Sequence, residues 1–154
     1  MKSTIASGLF ALLLAAGFAR ADGIEVNGAW AKATMPGQKV AGVYMEIRSD
    51  RAARLVGVES PVAGAAEVHE MRHQDGVMRM RHIEALDLPA GQVIKLAPGG
   101  FHVMLFELRQ PLKPGDKVQV TLKIERGGKR GDVEVVAVVK PPSAEGAESG
   151  HGQQ

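Results

Sequence analysis

The chain of 154 residues contains no cysteine. Without thiolates it can form neither disulfide bonds nor the cysteine-rich tetrahedral sites that hold structural zinc. The same absence excludes blue-copper electron transfer, because such a centre needs a thiolate ligand. A domain of this size can build a sufficient hydrophobic core without disulfide bonds. Any metal chemistry must therefore use imidazole, thioether or oxygen ligands.

Aromatic residues are also scarce, at 4% of the chain. We therefore expect a core built from Val, Leu, Ile and Ala, with Trp30, Tyr44 and Phe106 as its largest members. The sequence further lacks a nucleophile elbow, a phosphate-binding glycine motif and a prominent pair of carboxylates. These absences predict that the protein is not an enzyme.

The N-terminal segment has the three parts of a secretory signal peptide. Lys2 supplies positive charge, residues 5–18 form a short apolar run, and Ala19-Arg20-Ala21 is a small-x-small cleavage site. We interpret residues 1–21 as a signal peptide, since the run is too short and too poorly flanked for a membrane anchor. The mature chain is expected to begin near Asp22. No cysteine follows the run, so a lipid anchor is not indicated.

Charge is unevenly divided between this segment and the rest of the chain. Lys2 and Arg20 are its only charged residues, and the remainder holds 17 basic and 17 acidic side chains. The isoelectric point of 9.0 therefore belongs largely to the precursor. A near-neutral mature protein has no basic stripe for phosphate backbones, which argues against nucleic-acid binding. No other apolar run approaches membrane-spanning length, so we expect a soluble mature protein without membrane insertion.

From residue 22 onward, short strands alternate with turns. Runs of β-branched and aromatic residues recur with turn signals about every 8–12 residues, and no convincing amphipathic helix interrupts them. Asn27-Gly28 is interpreted as a turn and residues 86–91 as a loop. About eight or nine such strands predict one all-β domain over residues 22–140, a β-sandwich or small barrel. Residues 141–154 have almost nothing to bury and are predicted to be a disordered tail.

The strongest hairpin signal surrounds residues 73–76, which end in Asp-Gly. Two registers fit this signal. In one, His69 lies opposite Met80; in the other, a two-residue turn places His69 opposite His82 and Met71 opposite Met80. Cross-strand neighbours lie about 5 Å apart and diagonal neighbours about 7–8 Å apart. Either register therefore brings His69 and Met80 within reach of one ion.

Two histidines and two methionines recur in and beside these strands. Ten residues separate His69 from Met80, twenty-one separate Met80 from His102, and one separates His102 from Met104. Thioether sulfur is a soft ligand that suits Cu(I), and imidazole suits copper in either oxidation state. His102 and Met104 share one strand face directly after a Gly-Gly turn. The pattern predicts a Cu(I) site formed by these four side chains.

Together with its flanking residues, this spacing resembles the signature of the periplasmic PCu(A)C copper chaperones. The similarity includes Ala29-Trp30-Ala31, Leu88-Pro89-Ala90-Gly91 and residues 98–105 and 111–116. It extends over about residues 24–140, which is nearly the whole predicted mature chain.

The resemblance implies a cupredoxin-like, immunoglobulin-like β-barrel that binds one Cu(I) near its surface through His69, Met80, His102 and Met104. It also implies a periplasmic protein that passes copper towards the dinuclear copper A centre in subunit II of cytochrome c oxidase. Proteins of this kind often act alongside a Sco-type protein. We expect the chain to be a monomer.

Neighbouring residues have less certain roles. Met71 and Met78 share strand faces with His69 and Met80, so each either borders the ion or packs beside it. His73 at the hairpin tip and His82 are expected to be exposed, and His82 becomes a candidate ligand in the second register.

Three arginines of the hairpin are expected either to form a solvated face or to dock a partner: Arg72, Arg79 and Arg81. Glu70 is expected to be a surface residue and Asp75 a turn residue. Two other functions fit the same chain. It could be a copper buffer or resistance protein that uses the same site, or an immunoglobulin-like interaction module without metal.

Overall fold

The structure of the protein, a computed structural model, describes residues 19–21 and 23–142. Its regular structure consists of eleven β-strands, and no α-helix occurs in these ranges. Accordingly, this part of the chain contains no helix with the length and apolar character to cross a membrane. The predicted all-β fold is confirmed. The strands are β1 (Ala19–Ala21), β2 (Ile24–Lys32), β3 (Ala41–Ser49), β4 (Ala53–Glu59), β5 (Ala65–Gln74), β6 (Val77–His82), β7 (Leu86–Leu88), β8 (Val93–Leu96), β9 (Phe101–Phe106), β10 (Lys117–Arg126) and β11 (Lys129–Lys140).

All eleven strands belong to one hydrogen-bonded sheet. Their order is β6-β5-β9-β8-β3-β2-β11-β10-β4-β7, with β1 added to β2. Most neighbours are antiparallel, whereas β11–β2 and β8–β9 are parallel. Because β9 pairs with both β5 and β3, it joins the β5–β6 hairpin to the centre of the sheet. The inner faces of both halves contribute to a single core, so the sheet folds over on itself as one cupredoxin-like sandwich.

The core follows from the period-two alternation of the strands. Along β10, and along β11 from Val133 onward, every second side chain is buried and the intervening ones are more exposed. Full burial of an aliphatic side chain stabilises the fold by roughly 1.5–3 kcal/mol relative to an exposed position. The predicted aliphatic core is confirmed by the buried side chains of these two strands, which are Val118, Val120, Leu122, Ile124, Val133, Val135, Ala137 and Val139.

The large aromatic side chains lie on the outer face instead. Trp30, Tyr44 and Phe106 alternate with the core-facing residues of β2, β3 and β9. Tyr44 is nevertheless buried, because the Trp30 ring lies 4.6 Å from its own ring and the His102 ring 6.4 Å away, between centroids. The prediction that Trp30 and Phe106 belong to the core was wrong, because both are only half-buried, whereas Tyr44 is buried as predicted. All three cover the sheet from outside.

Two local predictions were also wrong. Asn27-Gly28 is a bulge inside β2, where the register to β3 shifts and Gly28 adopts a φ of 61°, rather than a turn between strands. Leu86–Leu88 is not a loop but strand β7, because its two leucines are both buried and the segment pairs with β4. The strand count therefore exceeds the predicted eight or nine.

The chain ends are only partly described. Of the predicted signal peptide, Ala19–Ala21 is described, as β1 paired with β2, and residues 1–18 lie outside the described part. Of the predicted tail, residues 143–154 lie outside it. The domain boundaries at residues 22 and 140 stay predictions.

Candidate metal site

The hairpin β5–β6 adopts the register with a two-residue turn. Gln74 pairs with Val77, and the turn residues Asp75 and Gly76 have φ angles of 52° and 76°. Two successive positive φ angles are the mark of a type I′ turn, whose twist matches that of the flanking strands and which favours Asp-Gly. The turn chemistry therefore selects one of the two registers that the sequence leaves open.

This register places three histidines side by side on adjacent strands. His69 on β5 lies opposite His82 on β6 and opposite His102 on β9. Its ring centroid lies 5.9 Å from that of His82 and 5.8 Å from that of His102. The long sequence separation between His69 and His102 is closed by the β5–β9 pairing, which the hairpin signal alone does not specify.

Both predicted methionines lie on the same outer face as these rings. Met80 pairs with Met71, one row nearer the turn than His69, and Met104 pairs with Glu67, one row farther from it. Met80 is thus a diagonal neighbour of His69, within about 7–8 Å for the backbone positions. The structure brings all four predicted ligands, His69, Met80, His102 and Met104, to one patch of the sheet.

The patch is buried on one side and open on the other. His102 is 4% exposed beneath Tyr44, whereas Met80 on the edge strand β6 is 45% exposed. Phe106 packs near His69, with 5.7 Å between ring centroids. The site thus has a fixed imidazole end and an accessible thioether end.

Each of the two central imidazoles has one ring nitrogen held by a hydrogen bond. Nδ1 of His102 lies 3.0 Å from the carbonyl oxygen of Gly100, which can only accept, so Nδ1 carries the proton and Nε2 keeps a lone pair. Nε2 of His69 lies 2.7 Å from Oε2 of Glu67. The hydrogen bond with His69 lowers the pKa of Glu67, aided by the nearby His82 and opposed by burial.

The remaining nitrogen of His69 is an orphan. With an ionised Glu67 accepting from Nε2, Nδ1 bears a lone pair, and it is buried without a hydrogen-bond partner in the described structure. A buried polar atom without a partner is destabilising unless something binds it. Within residues 19–21 and 23–142, no group of three or more His, Asp or Glu could hold a metal. The thioethers of Met80 and Met104, on the same face of the sheet, are the remaining candidate donors near these two rings.

Known proteins agree with this fold. The LpqE-like family model matches residues 24–139. The chain belongs to the LpqE-like family. Over 109 residues it is 36% identical to a protein of Leifsonia xyli subsp. xyli (strain CTCB07) named "Putative lipoprotein Lxx21020". The match covers 70% of this chain and 66% of that relative, so the chain spans just under two-thirds of its length.

Two solved structures are similar to this LpqE-like domain over most of its length. The copper-bound PCuAC domain from PmoF2 is 27% identical with a TM-score of 0.66, and the match covers 82% of this chain and 99% of that one. The solution structure of CuI-DR1885 from Deinococcus radiodurans is 34% identical with a TM-score of 0.58, covering 73% and 75% of the two chains. The predicted resemblance to PCu(A)C proteins is confirmed.

Opposite the candidate ligands, the inner face of the LpqE-like hairpin contains a buried carboxylate. Glu70 is 8% exposed and pairs with Arg72 at 2.8 Å and Arg81 at 2.9 Å. The hydrogen bond from Arg72 is the main reason that the pKa of Glu70 is lowered, with Arg81 adding to it and burial opposing it. The prediction that Glu70 is a solvated surface residue was wrong, because the arginines fold over it. His73 and His82 are exposed as predicted.

Sequence reasoning missed Glu67. The signal was present, since Glu67 precedes His69 by two residues and therefore shares its face of β5. Its carboxylate is hydrogen-bonded to the ring of His69. Glu67 therefore belongs to the immediate surroundings of the candidate site.

Proposed function

We propose that the protein is a copper metallochaperone of the bacterial envelope that holds one Cu(I) through His69, Met80, His102 and Met104. The observation that carries this proposal is the convergence of two imidazoles and two thioethers on one sheet face, with a buried and unpartnered ring nitrogen on His69. Two soft sulfurs and two imidazoles favour Cu(I) over Mg²⁺ or Ca²⁺, which prefer oxygen ligands. The similarity to the copper-bound PCuAC domain from PmoF2 and to CuI-DR1885 supports the same metal.

The unequal exposure of the ligands suits delivery. His102 is held by the Gly100 carbonyl and covered by Tyr44, so it anchors the ion. Met80 lies on an edge strand with nearly half of its surface open, so an incoming ligand can replace it first. A chaperone needs this combination, because copper must stay bound in transit and still exchange with a partner.

The recipient is proposed from the resemblance to PCu(A)C chaperones. It is the copper A-containing subunit II of cytochrome c oxidase, with a Sco-type protein as a second partner. The lipoprotein name of the Leifsonia xyli relative supports an envelope location, and the predicted signal peptide supports the periplasm. We propose that the protein is a monomer, that it is not an enzyme, and that it neither binds nucleic acid nor inserts into the membrane.

The test is an anaerobic Cu(I) competition titration against a chromophoric chelator. The parent protein should bind one equivalent, and His102→Ala and Met104→Ala should both bind markedly more weakly. Loss of the hydrogen-bond partner of a metal ligand lowers metal affinity by about 10–100-fold. Removing the ligand itself should lower Cu(I) affinity at least as much. His73→Ala is the matched control, because this exposed histidine lies beside the turn and away from the imidazoles of His69 and His102. Equal behaviour of all four proteins would leave only the metal-free interaction module.

Delivery is tested separately from binding. The Cu(I)-loaded protein is mixed with an apo copper A domain and with an unrelated apo copper protein, and the metal content of each is measured after separation. Directed transfer to the copper A domain supports the chaperone. Retention of copper, or equal loss to both acceptors, would make the protein a passive buffer that uses the same site.

A further inference from the structure

We propose that Glu67 is a positioning residue that makes His69 bind copper through Nδ1, while His102 binds through Nε2. Its carboxylate holds the Nε2–H of His69 and so reserves the opposite ring nitrogen for the metal. The hydrogen bond that holds Nε2–H of His69 follows from the geometry of the metal-free protein alone. The binding of copper through Nδ1 rests on the proposed function.

The first step is the placement of the carboxylate. Glu67 lies two residues before His69 on the same outer face of β5, and its Oε2 is 2.7 Å from Nε2. Its strand neighbour on β9 is Met104, a proposed ligand. The side chain of His69 is only 12% exposed, so few solvent molecules can compete for its ring nitrogens.

The second step is the direction of the ring. With Nε2 tied to Glu67, the buried Nδ1 has no hydrogen-bond partner in the described part of the chain. For His102 the pattern is reversed, because Nδ1 donates to the Gly100 carbonyl. The two imidazoles therefore present different nitrogens. No other hydrogen bond recorded for these rings would select this arrangement.

The third step is the effect on the ligand. An imidazole that donates its other N–H to a carboxylate is held in one orientation and becomes a more basic donor, and loss of such a partner weakens metal binding by about 10–100-fold. The carboxylate also compensates the single positive charge that Cu(I) would bring to four neutral ligands. Glu67 would thus both aim His69 and balance the charge of the loaded site.

The first experiment needs no metal. Proton and nitrogen spectra of the metal-free parent, recorded at mildly alkaline pH, should show the Nε2–H of His69 as a slowly exchanging downfield signal. Glu67→Ala should lose that signal, and Glu67→Gln should keep it, because the amide oxygen can still accept. A parent in which His69 carries its proton on Nδ1, or a signal that persists in Glu67→Ala, would overturn the proposal.

The second experiment uses the diamagnetic Cu(I)-loaded protein. Loading should shift the nitrogen resonances of His69 Nδ1 and His102 Nε2, and Glu67→Ala should lower Cu(I) affinity by about 10–100-fold with at least partial recovery in Glu67→Gln. Glu84→Ala, which removes an exposed carboxylate two residues after His82, is the control and should bind like the parent. A shift at His69 Nε2 instead of Nδ1 would refute the proposed role of Glu67 while leaving copper binding intact. If the protein shows the hydrogen bond between Glu67 and His69 but binds no Cu(I), the proposed function is refuted. The role of Glu67 in copper binding is then refuted as well, and only its contact with His69 in the metal-free protein stands.

Discussion

Two hairpins of this protein, β5–β6 and β10–β11, share one backbone design and present different surfaces. Each has antiparallel strands joined by a two-residue turn with positive φ, at Asp75-Gly76 in one and Gly127-Gly128 in the other. In β10–β11 the outer face is mostly polar and includes ion pairs such as the 2.9 Å contact between Lys123 and Asp132, and the inner face is buried away from the turn. In β5–β6 all six residues of β6 are exposed, and the outer face presents histidine and methionine.

The contrast shows how stability and binding are divided within one sheet. The β10–β11 hairpin follows the apolar-in, polar-out alternation that stabilises a sandwich. The β5–β6 hairpin leaves Met78 and Met80 about half exposed, which forgoes apolar burial but keeps soft sulfur accessible. We therefore expect substitutions in the first hairpin to change the free energy of unfolding, and substitutions in the second to change copper binding.

The largest expected effect is on the stabilising hairpin. Leu122→Ala removes a completely buried side chain from β10 and should lower the free energy of unfolding by about 2–5 kcal/mol. Val136→Ala on β11, where the side chain is 53% exposed, is the control and should change it by no more than about 0.5 kcal/mol. Urea denaturation of the metal-free proteins measures both. If the folded Leu122→Ala protein loses Cu(I) stoichiometry, the proposed division of roles is wrong.

The next effect concerns the binding hairpin. Met80→Ala should weaken Cu(I) binding by at least about tenfold, because it removes a soft ligand. Loss of a residue that only hydrogen-bonds a metal ligand already has an effect of this size. Its free energy of unfolding should stay within about 0.5 kcal/mol of the parent value, since the side chain is 45% exposed. Met78→Ala is the matched control, because Met78 is equally exposed but lies opposite His73, farther along the hairpin. Weakened binding in Met78→Ala would extend the ligand set beyond the four proposed residues.

A smaller effect separates the two turns. Gly76→Ala and Gly127→Ala each place a side chain at positive φ with open space around it, so strain of about 1–2 kcal/mol should appear in both. Denaturation should therefore report similar destabilisation. Cu(I) titration should distinguish them, because only Gly76 sets the register of Met80 and His69. Unchanged Cu(I) affinity in Gly76→Ala would mean that the β5–β9 pairing alone is sufficient to form the site.

The smallest effect is electrostatic and should appear only in acid. The hydrogen bond from Arg54, with its charge, lowers the pKa of Glu125, and Arg130 adds to this shift against the opposing effect of burial. The pKa of a glutamate carboxyl in the unfolded chain is about 4.3. A carboxyl whose pKa is lower in the folded state stabilises the fold at pH values above about 4.3, and this stabilisation is lost as the pH falls through the folded-state pKa. Denaturation midpoints of the parent should drop over that acidic range more steeply than those of Glu125→Gln. Parallel curves would show that this ion pair does not contribute.

Much of the scaffold was predictable because a strand's side chains alternate by geometry. The sequence alone predicts that His102 and Met104 share one strand face, and their alternation with the buried Val103 and Leu105 confirms it. The prediction failed where burial depends on neighbours. Tyr44 is buried beside Trp30 and His102, and an aromatic count cannot show on which side of a sheet such a ring will be buried.

Only half of the candidate site could be predicted from the sequence. The His69-to-Met80 segment is a local hairpin, so its turn residues limited it to two registers, and the type I′ geometry of Asp75-Gly76 selects one. The contact between Glu67 and His69 could not be predicted from the sequence, because it depends on the orientation of the His69 ring. That orientation depends on packing against Phe106 and His102. Leu86–Leu88 needed β4 as a partner before its leucines could be recognised as strand residues.

The sequence by itself determined which donor types the chain offers to a metal, because it lacks cysteine and places histidine beside methionine, a combination that favours Cu(I). It also determined which side chains share a strand face, since alternation is local. Only the tertiary structure decided that His102 lies opposite His69, because antiparallel pairing between distant strands depends on the whole sheet. It likewise decided that Glu67 occupies one nitrogen of His69 and leaves the other uncommitted, because that choice requires two side chains to meet in space.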